Sequence, residues 1–132
     1  MTSNGRILLM DDEQIILDVT LEVLKFLGYD VVFAKEGAAA LELYKSAKAA
    51  GQPFDLVILD LSIPEGMNGR ETIEKLRAYD PNVKAVVSSG YSNDPVMQNF
   101  ASYGFSGRLT KPYRITEIKR ILDEMIPKKQ GS

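Results

Sequence analysis

The stretch Asp55-Leu-Val-Ile-Leu-Asp60 sets four apolar residues in a row between two acids. A second stretch, Arg6-Ile-Leu-Leu-Met10, has the same design and runs directly into Asp11 and Asp12. Consecutive rather than alternating apolar residues are typical of strands that are covered on both faces, as in a parallel sheet. The two stretches therefore predict two buried parallel strands, each followed by a carboxylate.

Similar stretches alternate with helical patterns along the rest of the chain. Three further strands are predicted over residues 31–34, 84–88 and 107–110, and helices over 14–27, 37–50, 69–79, 94–103 and 115–126. Because a helix follows every strand, we expect right-handed crossovers onto one parallel sheet. Five such units predict an α/β fold with a flavodoxin-like, doubly wound five-stranded parallel sheet of order 2-1-3-4-5 and five helices.

Length and composition indicate a single domain with its own apolar core. The chain has 132 residues, of which 45% are hydrophobic and 26% charged, and its formal net charge is −2. A chain of this length can bury enough surface to fold without a disulfide or a structural metal. We expect an N-terminal extension over residues 1–5, one domain over residues 6–126, and a C-terminal tail or linker over residues 127–132.

The composition also excludes several classes of function. The chain contains neither Cys nor His, which excludes disulfides, thiol nucleophiles, Ser-His-Asp arrangements and a role as a phosphohistidine carrier. It has no basic stripe, so we expect no direct nucleic-acid binding. No apolar run reaches the ~18 residues of a membrane span, and the first residues lack the layout of a signal peptide. We therefore predict a cytoplasmic domain without membrane contact.

Polar side chains stand at the carboxyl ends of four predicted strands. They are Asp11 and Asp12, Asp60, Ser88 and Ser89, and Lys111. In the predicted strand order these ends meet at one crevice. Each residue alone is typical of a helix cap or a loop. Carboxylates that cluster together, however, repel one another and need a neutralising cation. Mg²⁺ suits such oxygen ligands and leaves a position for a phosphate oxygen, so the cluster predicts a phosphate-handling metal site.

Four motifs together resemble the receiver domain of bacterial two-component response regulators and hybrid histidine kinases. They are Asp11-Asp-Glu13, Asp60-Leu-Ser-Ile-Pro64, Ser88-Ser-Gly-Tyr91 and Lys111-Pro-Tyr113, and the resemblance covers residues 5–126. It implies that a histidine kinase or histidine phosphotransfer protein donates a phosphoryl group. It also implies that the domain signals to a downstream effector by conformational change and loses the group by slow autodephosphorylation.

The resemblance assigns roles to individual residues. Asp60 is the phospho-acceptor, and Lys111 pairs with the phosphoryl group and precedes a cis Lys111–Pro112 bond. Mg²⁺ or Mn²⁺ is bound directly by Asp12 and Asp60, through water by Asp11, and by the backbone carbonyl of Ser62.

The hydroxyl that follows the phosphoryl group has two candidates. These are Ser88 and Ser89, and placing Gly90-Tyr91 on the family's small-residue position selects Ser89.

Two features depart from the family pattern. The loop Pro64–Gly69 is one residue longer than usual, which predicts added mobility beside the site. Arg108 stands where the family commonly has an aromatic residue, which puts an aromatic switch in doubt. We expect Arg108 to be solvated, with pairing to an acid on a partner as the alternative.

The first helix carries apolar residues near the predicted site. Ile15, Ile16 and Val19 are possible contacts with a helical bundle that carries the phosphohistidine. Burial in the core is nevertheless expected for most of the three, because the polar residues of this helix follow one narrow stripe.

Two other functions remain open from the residues. An Asp-nucleophile phosphatase resembling the haloacid dehalogenase group would need a second Asp two positions after Asp60, where this chain has Ser62. The second is a receiver-like binding module that is never phosphorylated. The intact acids, hydroxyls and lysine argue against that module.

Overall fold

The computed structural model of the chain describes residues 3–127. Its five-stranded parallel sheet has the order β2-β1-β3-β4-β5, which confirms the predicted topology. The strands are β1 (Arg6–Met10), β2 (Asp30–Ala34), β3 (Leu56–Asp60), β4 (Ala85–Ser89) and β5 (Gly107–Thr110). Most of the predicted tail, 128–132, and the first two residues of the predicted extension lie outside the described residues.

The helices lie close to their predicted positions, with one exception. They are α1 (Gln14–Phe26), α2 (Gly37–Ala49), α3 (Gly69–Tyr79), α4 (Pro95–Gln98) and α5 (Ile115–Met125). In the part of the chain that the structure describes, none of them combines the length and apolar character needed to cross a bilayer.

The prediction of one continuous helix over residues 94–103 is wrong. Helix α4 ends at Gln98, and a separate 3₁₀ turn covers Phe100–Tyr103. Arg108 donates from Nη1 to the carbonyl oxygen of Met97 over 3.1 Å. An uninterrupted α-helix would offer that carbonyl to the amide of residue 101. The break is therefore explained by this tertiary contact together with Asn99 and Ser102, because Asn and Ser form helices poorly.

The sheet separates two apolar layers. One layer packs against α2, α3 and α4 and includes Leu8, Val57 and Leu59. The other packs against α1 and α5 and includes Ile7 and Ile58. Successive residues of a strand point to opposite faces, so β3 contributes to both layers and is buried along its whole length. The consecutive apolar run thus predicted a strand covered on both faces, and this is confirmed.

A polar cluster closes the amino edge of the sheet, opposite the strand ends that carry the predicted site. Tyr44 of α2 donates its hydroxyl to Asp80 Oδ2 over 2.7 Å, and Lys48 Nζ lies 2.8 Å from the same oxygen. Asp80 is the C-cap residue that directly follows α3. The cluster therefore fastens α2 to the end of α3, away from the carboxyl ends of the strands.

Candidate functional site

Three carboxylates meet at the carboxyl edge of the sheet. Asp11 follows β1 and Asp60 ends β3, and these two strands are paired in register from Ile7 with Leu56 to Met10 with Leu59. One carboxylate oxygen each from Asp11, Asp12 and Asp60 lies within 4.8 Å of the other two. Asp11 and Asp60 are fully buried, whereas Asp12 is half-buried. The predicted convergence of these acids is therefore observed.

Local turns orient two of the carboxylates. Asp11 Oδ1 accepts a hydrogen bond from the amide of Glu13 over 3.0 Å, and Asp60 Oδ1 accepts one from the amide of Ser62 over 3.1 Å. Asp side chains commonly bond the backbone two residues on in this way. In each residue the second oxygen, Oδ2, is left to face Lys111.

Lys111 bridges the two buried carboxylates. Its Nζ lies 3.0 Å from Asp11 Oδ2 and 3.1 Å from Asp60 Oδ2, and Glu13 Oε1 is a weaker third neighbour at 3.5 Å. Lys111 follows β5, which β4 separates from the strand that carries Asp60. The side chain therefore reaches across the end of a whole strand to place its ammonium between two acids.

The charges in this site are not balanced by the protein alone. Burial raises the pKa of Asp60 to about 6, and the charge of Asp11 adds to the shift, while the Ser62 amide and Lys111 oppose it. Burial would lower the pKa of Lys111, but the charges and hydrogen bonds of Asp60 and Asp11 raise it above its ordinary value. Four acids, namely Asp11, Asp12, Glu13 and Asp60, are grouped around a single ammonium, so the site retains an excess of negative charge.

This donor set fits a hard metal ion. The cluster Asp11, Asp12 and Asp60 offers carboxylate oxygens alone, and the sequence contains no His or Cys that could add a softer ligand. All-oxygen sites of this kind suit Mg²⁺ and similar cations. A dication would also offset the excess negative charge, so the three acids can hold a metal.

The two candidate hydroxyls have different surroundings. Ser89 Oγ accepts a hydrogen bond from the amide of Tyr91 over 3.0 Å. Ser88 Oγ forms a hydrogen bond with the hydroxyl of Tyr113. Ser88 is paired in register with Asp60, so both side chains point to the same face of the sheet. The Ser88–Tyr113 contact was missed at the level of sequence, although the strand alternation of β4 placed Ser88 on this face.

The loop after Asp60 is fastened to α2. Glu36 accepts hydrogen bonds from the amides of Ala38 and Ala39, each over 2.9 Å, and from the amide of Met67 over 3.3 Å. The Gly37 amide in turn donates to the Met67 carbonyl over 2.8 Å. This role of Glu36 was not predicted from the sequence, although an acid just before a helix was an available signal. The longer loop is thus anchored at Met67.

The exposed residues around the site correct one expectation. Ile15 is 77% exposed and Val19 is 59% exposed, while Ile16 is half-buried, so the expected burial of most of the three is wrong. Only Leu17, Thr20 and Leu24 of α1 are buried, which is a narrow stripe. Arg108 is exposed as expected, but its guanidinium is bound to the Met97 carbonyl. The Lys111–Pro112 bond is cis, as predicted.

Comparison with known proteins agrees with this geometry. The family model of the response regulator receiver domain matches residues 7–123. Sporulation initiation phosphotransferase F of Bacillus subtilis is 29% identical over 128 residues, which cover 97% of this chain and 98% of that protein. The sensor kinase CckA of Brucella abortus is also 29% identical over 97% of this chain, which spans only 13% of that kinase.

A solved structure supports the same grouping. The receiver domain of a sensor histidine kinase from Pseudomonas aeruginosa PAO1, which has a magnesium ion coordinated in its active-site cleft, is similar with a TM-score of 0.77 and 25% sequence identity. The similarity covers 92% of this chain and 97% of that one. The strand order, the buried acids with their lysine, and a family match over most of the length lead to one conclusion: this chain belongs to the response regulator receiver domain family.

Proposed function

We propose that Asp60 accepts a phosphoryl group from a phosphohistidine on a histidine kinase or a histidine phosphotransfer protein. The observation that carries this proposal is the position of Lys111 Nζ, 3.1 Å from one oxygen of the buried Asp60 and 3.0 Å from Asp11. This arrangement sets a fixed positive charge beside a carboxylate that can act as a nucleophile. The donor phosphohistidine must lie outside these 132 residues, because they include no His.

The transfer needs positioning more than covalent help from other groups. An oxygen of the ionised Asp60 carboxylate attacks phosphorus, a P–O bond forms, the P–N bond of the donor breaks, and the imidazole leaves with a proton from water. The attacking carboxylate carries no proton, so a general base is not needed. The Lys111 ammonium stabilises the negative charge on the transferred group. Hydrolysis later releases inorganic phosphate and restores the carboxylate.

We further propose Mg²⁺, or Mn²⁺ in its place, as the cation of the site. Asp12 and Asp60 would bind it directly, Asp11 through water, and the backbone carbonyl of Ser62 would complete the protein ligands. When bound, the ion supplies positive charge to the phosphate oxygens. The all-oxygen donor set and the raised pKa of Asp60 support this assignment.

We propose that Ser89 is the residue whose hydroxyl follows the phosphoryl group on Asp60. Its Oγ accepts from the Tyr91 amide, and this bond leaves the hydroxyl proton free to reach an incoming phosphate oxygen. A move of Ser89 would carry the β4–α4 loop with it and so alter the surface read by a downstream effector. The receiver unit is assigned to residues 6–126, and its cytoplasmic location stays a prediction.

Intact-mass spectrometry after incubation with acetyl phosphate and Mg²⁺ tests the proposal. We expect one added phosphoryl group on the wild-type protein and none on Asp60→Asn. Asp30→Asn, which changes an exposed carboxylate at the start of β2, is the matched control and should be labelled like the wild type. Full labelling of Asp60→Asn would place the acceptor elsewhere, and absence of any labelling would favour a binding module.

A further inference from the structure

We propose that Tyr113 and Ser88 form a positioning pair, which keeps the Lys111 ammonium and the Asp60 carboxylate in the relative position that phosphoryl transfer requires. This inference rests on the proposed function of Asp60. Neither residue touches the reacting oxygens, since the hydrogen bonds of the Asp60 carboxylate come from Ser62 and Lys111. The pair would therefore act through the segments that it joins.

Ser88 is attached to the strand and loop of the acceptor. It is paired in register with Asp60, it is fully buried, and its carbonyl accepts a hydrogen bond from the Leu61 amide over 3.0 Å. A shift of Ser88 would consequently be passed to the residue directly after Asp60.

Tyr113 is attached to the loop of the lysine. It stands two residues after Lys111, and its ring packs against the apolar layer that contains α1 and α5. Its hydroxyl bonds Ser88 Oγ, while the Lys111 amide donates to the Ser89 carbonyl over 2.9 Å. The segment from Lys111 to Tyr113 is thus fixed to β4 by two hydrogen bonds. One is the backbone bond of Lys111, and the other is the side-chain bond of Tyr113.

The Tyr113 hydroxyl lies within electrostatic reach of the site. Burial raises the pKa of Tyr113, the charges of Asp11 and Asp60 raise it further, and the bond to Ser88 and the Lys111 charge oppose the rise. The group therefore stays a neutral hydroxyl, able to donate as well as accept, beside the acids.

The hydroxyls are not needed to fill space. A Phe ring would occupy almost the same volume as Tyr113, and Ala in place of Ser88 would remove a single oxygen. Replacing both members of a buried hydrogen-bonded pair by apolar groups can be nearly neutral for stability, whereas removing one leaves the other unpaired. The reaction rate is more sensitive than stability to the placement of the reacting groups, because a displacement of ~1 Å at a reacting centre can cost about 100-fold in rate.

This difference separates a positioning role from a purely structural one. The variants Tyr113→Phe, Ser88→Ala and their combination are compared by melting temperature and by the rate constant of phosphorylation by acetyl phosphate at saturating Mg²⁺. We expect each single variant to melt lower and to react roughly tenfold more slowly. The combined variant should regain most of the melting temperature and keep the slow rate. It also keeps the test valid if a single variant folds poorly.

Tyr29→Phe is the matched control. Tyr29 packs against the same apolar layer from the turn before β2, at the opposite edge of the sheet from Lys111. We expect its rate constant to equal that of the wild type.

The outcomes distinguish this inference from the proposed function. A wild-type protein that takes no phosphoryl group would overturn both. Normal labelling of the wild type with an unchanged rate in Tyr113→Phe would overturn the positioning role alone. Recovery of the rate together with the melting temperature in the combined variant would also overturn it, because the pair would then be structural.

Discussion

Lys111 Nζ lies 3.1 Å from Asp60 Oδ2, although β4 stands between the strands that carry the two residues. The side chain of Lys111 is only 9% exposed and that of Asp60 only 1% exposed. Removing one member of such a buried pair leaves an uncompensated charge, whereas exposed pairs contribute little. The contact should therefore affect stability as well as the proposed phosphoryl transfer.

Replacement of the lysine is the first test of this contact. We expect Lys111→Met to lower the free energy of unfolding of the metal-free protein by about 3 kcal/mol, because Asp11 and Asp60 lose their common cation. Urea denaturation at pH 7 measures the change. Lys119→Met is the control, since Lys119 pairs with Asp123 on the exposed face of α5 and should cost less than about 0.5 kcal/mol. Equal effects of the two changes would contradict the buried bridge.

Metal binding should stabilise the folded protein by mass action. A ligand at about 100 times its dissociation constant adds about 2.7 kcal/mol when it binds the folded state alone. We expect the melting temperature of the wild type to rise steadily across a Mg²⁺ titration. Asp12→Asn removes a half-buried carboxylate that we propose as a ligand and leaves the Lys111 contacts in place, so its melting temperature should rise little across the same titration. A flat wild-type titration would contradict the metal assignment.

The polar cluster of Tyr44, Lys48 and Asp80 at the amino edge of the sheet predicts that stability depends on pH. The hydrogen bond from Lys48 lowers the pKa of Asp80, and the Tyr44 hydroxyl adds to the shift. An acid with a lowered folded-state pKa stabilises the fold above its unfolded pKa of about 3.9, and this contribution is lost as the pH falls through the folded value. Asp80→Asn should therefore cost about 1–2 kcal/mol at pH 7 and less near pH 3.

Urea unfolding at several pH values checks this prediction. The control is Asp123→Asn, an exposed acid on α5 that should cost less than about 0.5 kcal/mol at either end of the range. If the Asp80→Asn and wild-type curves ran parallel down to pH 3, the ion pair with Lys48 would contribute nothing.

A close approach of α3 to the backbone of Asp60 predicts a fourth effect. A Cβ on Gly69 would lie 2.7 Å from the backbone oxygen of Asp60, so the backbone of one or the other must move. We expect Gly69→Ala to destabilise the protein by about 1–3 kcal/mol and to slow phosphorylation. Gly90→Ala is the matched control, because a Cβ there meets nothing within 4 Å, and it should stay within about 0.5 kcal/mol of the wild type. Equal stabilities of the two variants would argue against this contact.

The fold could be predicted because the apolar runs and the helical patterns alternate without interruption. Buried strands such as Leu56–Asp60 have no polar residue before their ends, and the strand ends then determine where Asp11, Asp60 and Lys111 meet. Family resemblance supplied the individual roles of these residues, which spacing alone does not reveal.

The errors and omissions arose where long-range contacts override local pattern. Helix α4 is short because Arg108, ten residues beyond Gln98, takes a carbonyl of its last turn. The Ser88–Tyr113 bond joins residues 25 apart, and no local signal predicts such a pairing. Ile15 is exposed because α1 contacts the sheet through only a narrow stripe of its surface. The apolar periodicity of the helix predicts a wider buried face than the structure has.

The most direct test of the central claim is to locate the phosphoryl group on the wild-type protein. After labelling with acetyl phosphate and Mg²⁺, borohydride reduction converts an aspartyl phosphate into a stable homoserine residue that peptide mass spectrometry can locate. We predict this conversion at Asp60, between Leu59 and Leu61, and at no other acid. Conversion at Asp11 or Asp12 with Asp60 unchanged would contradict the account.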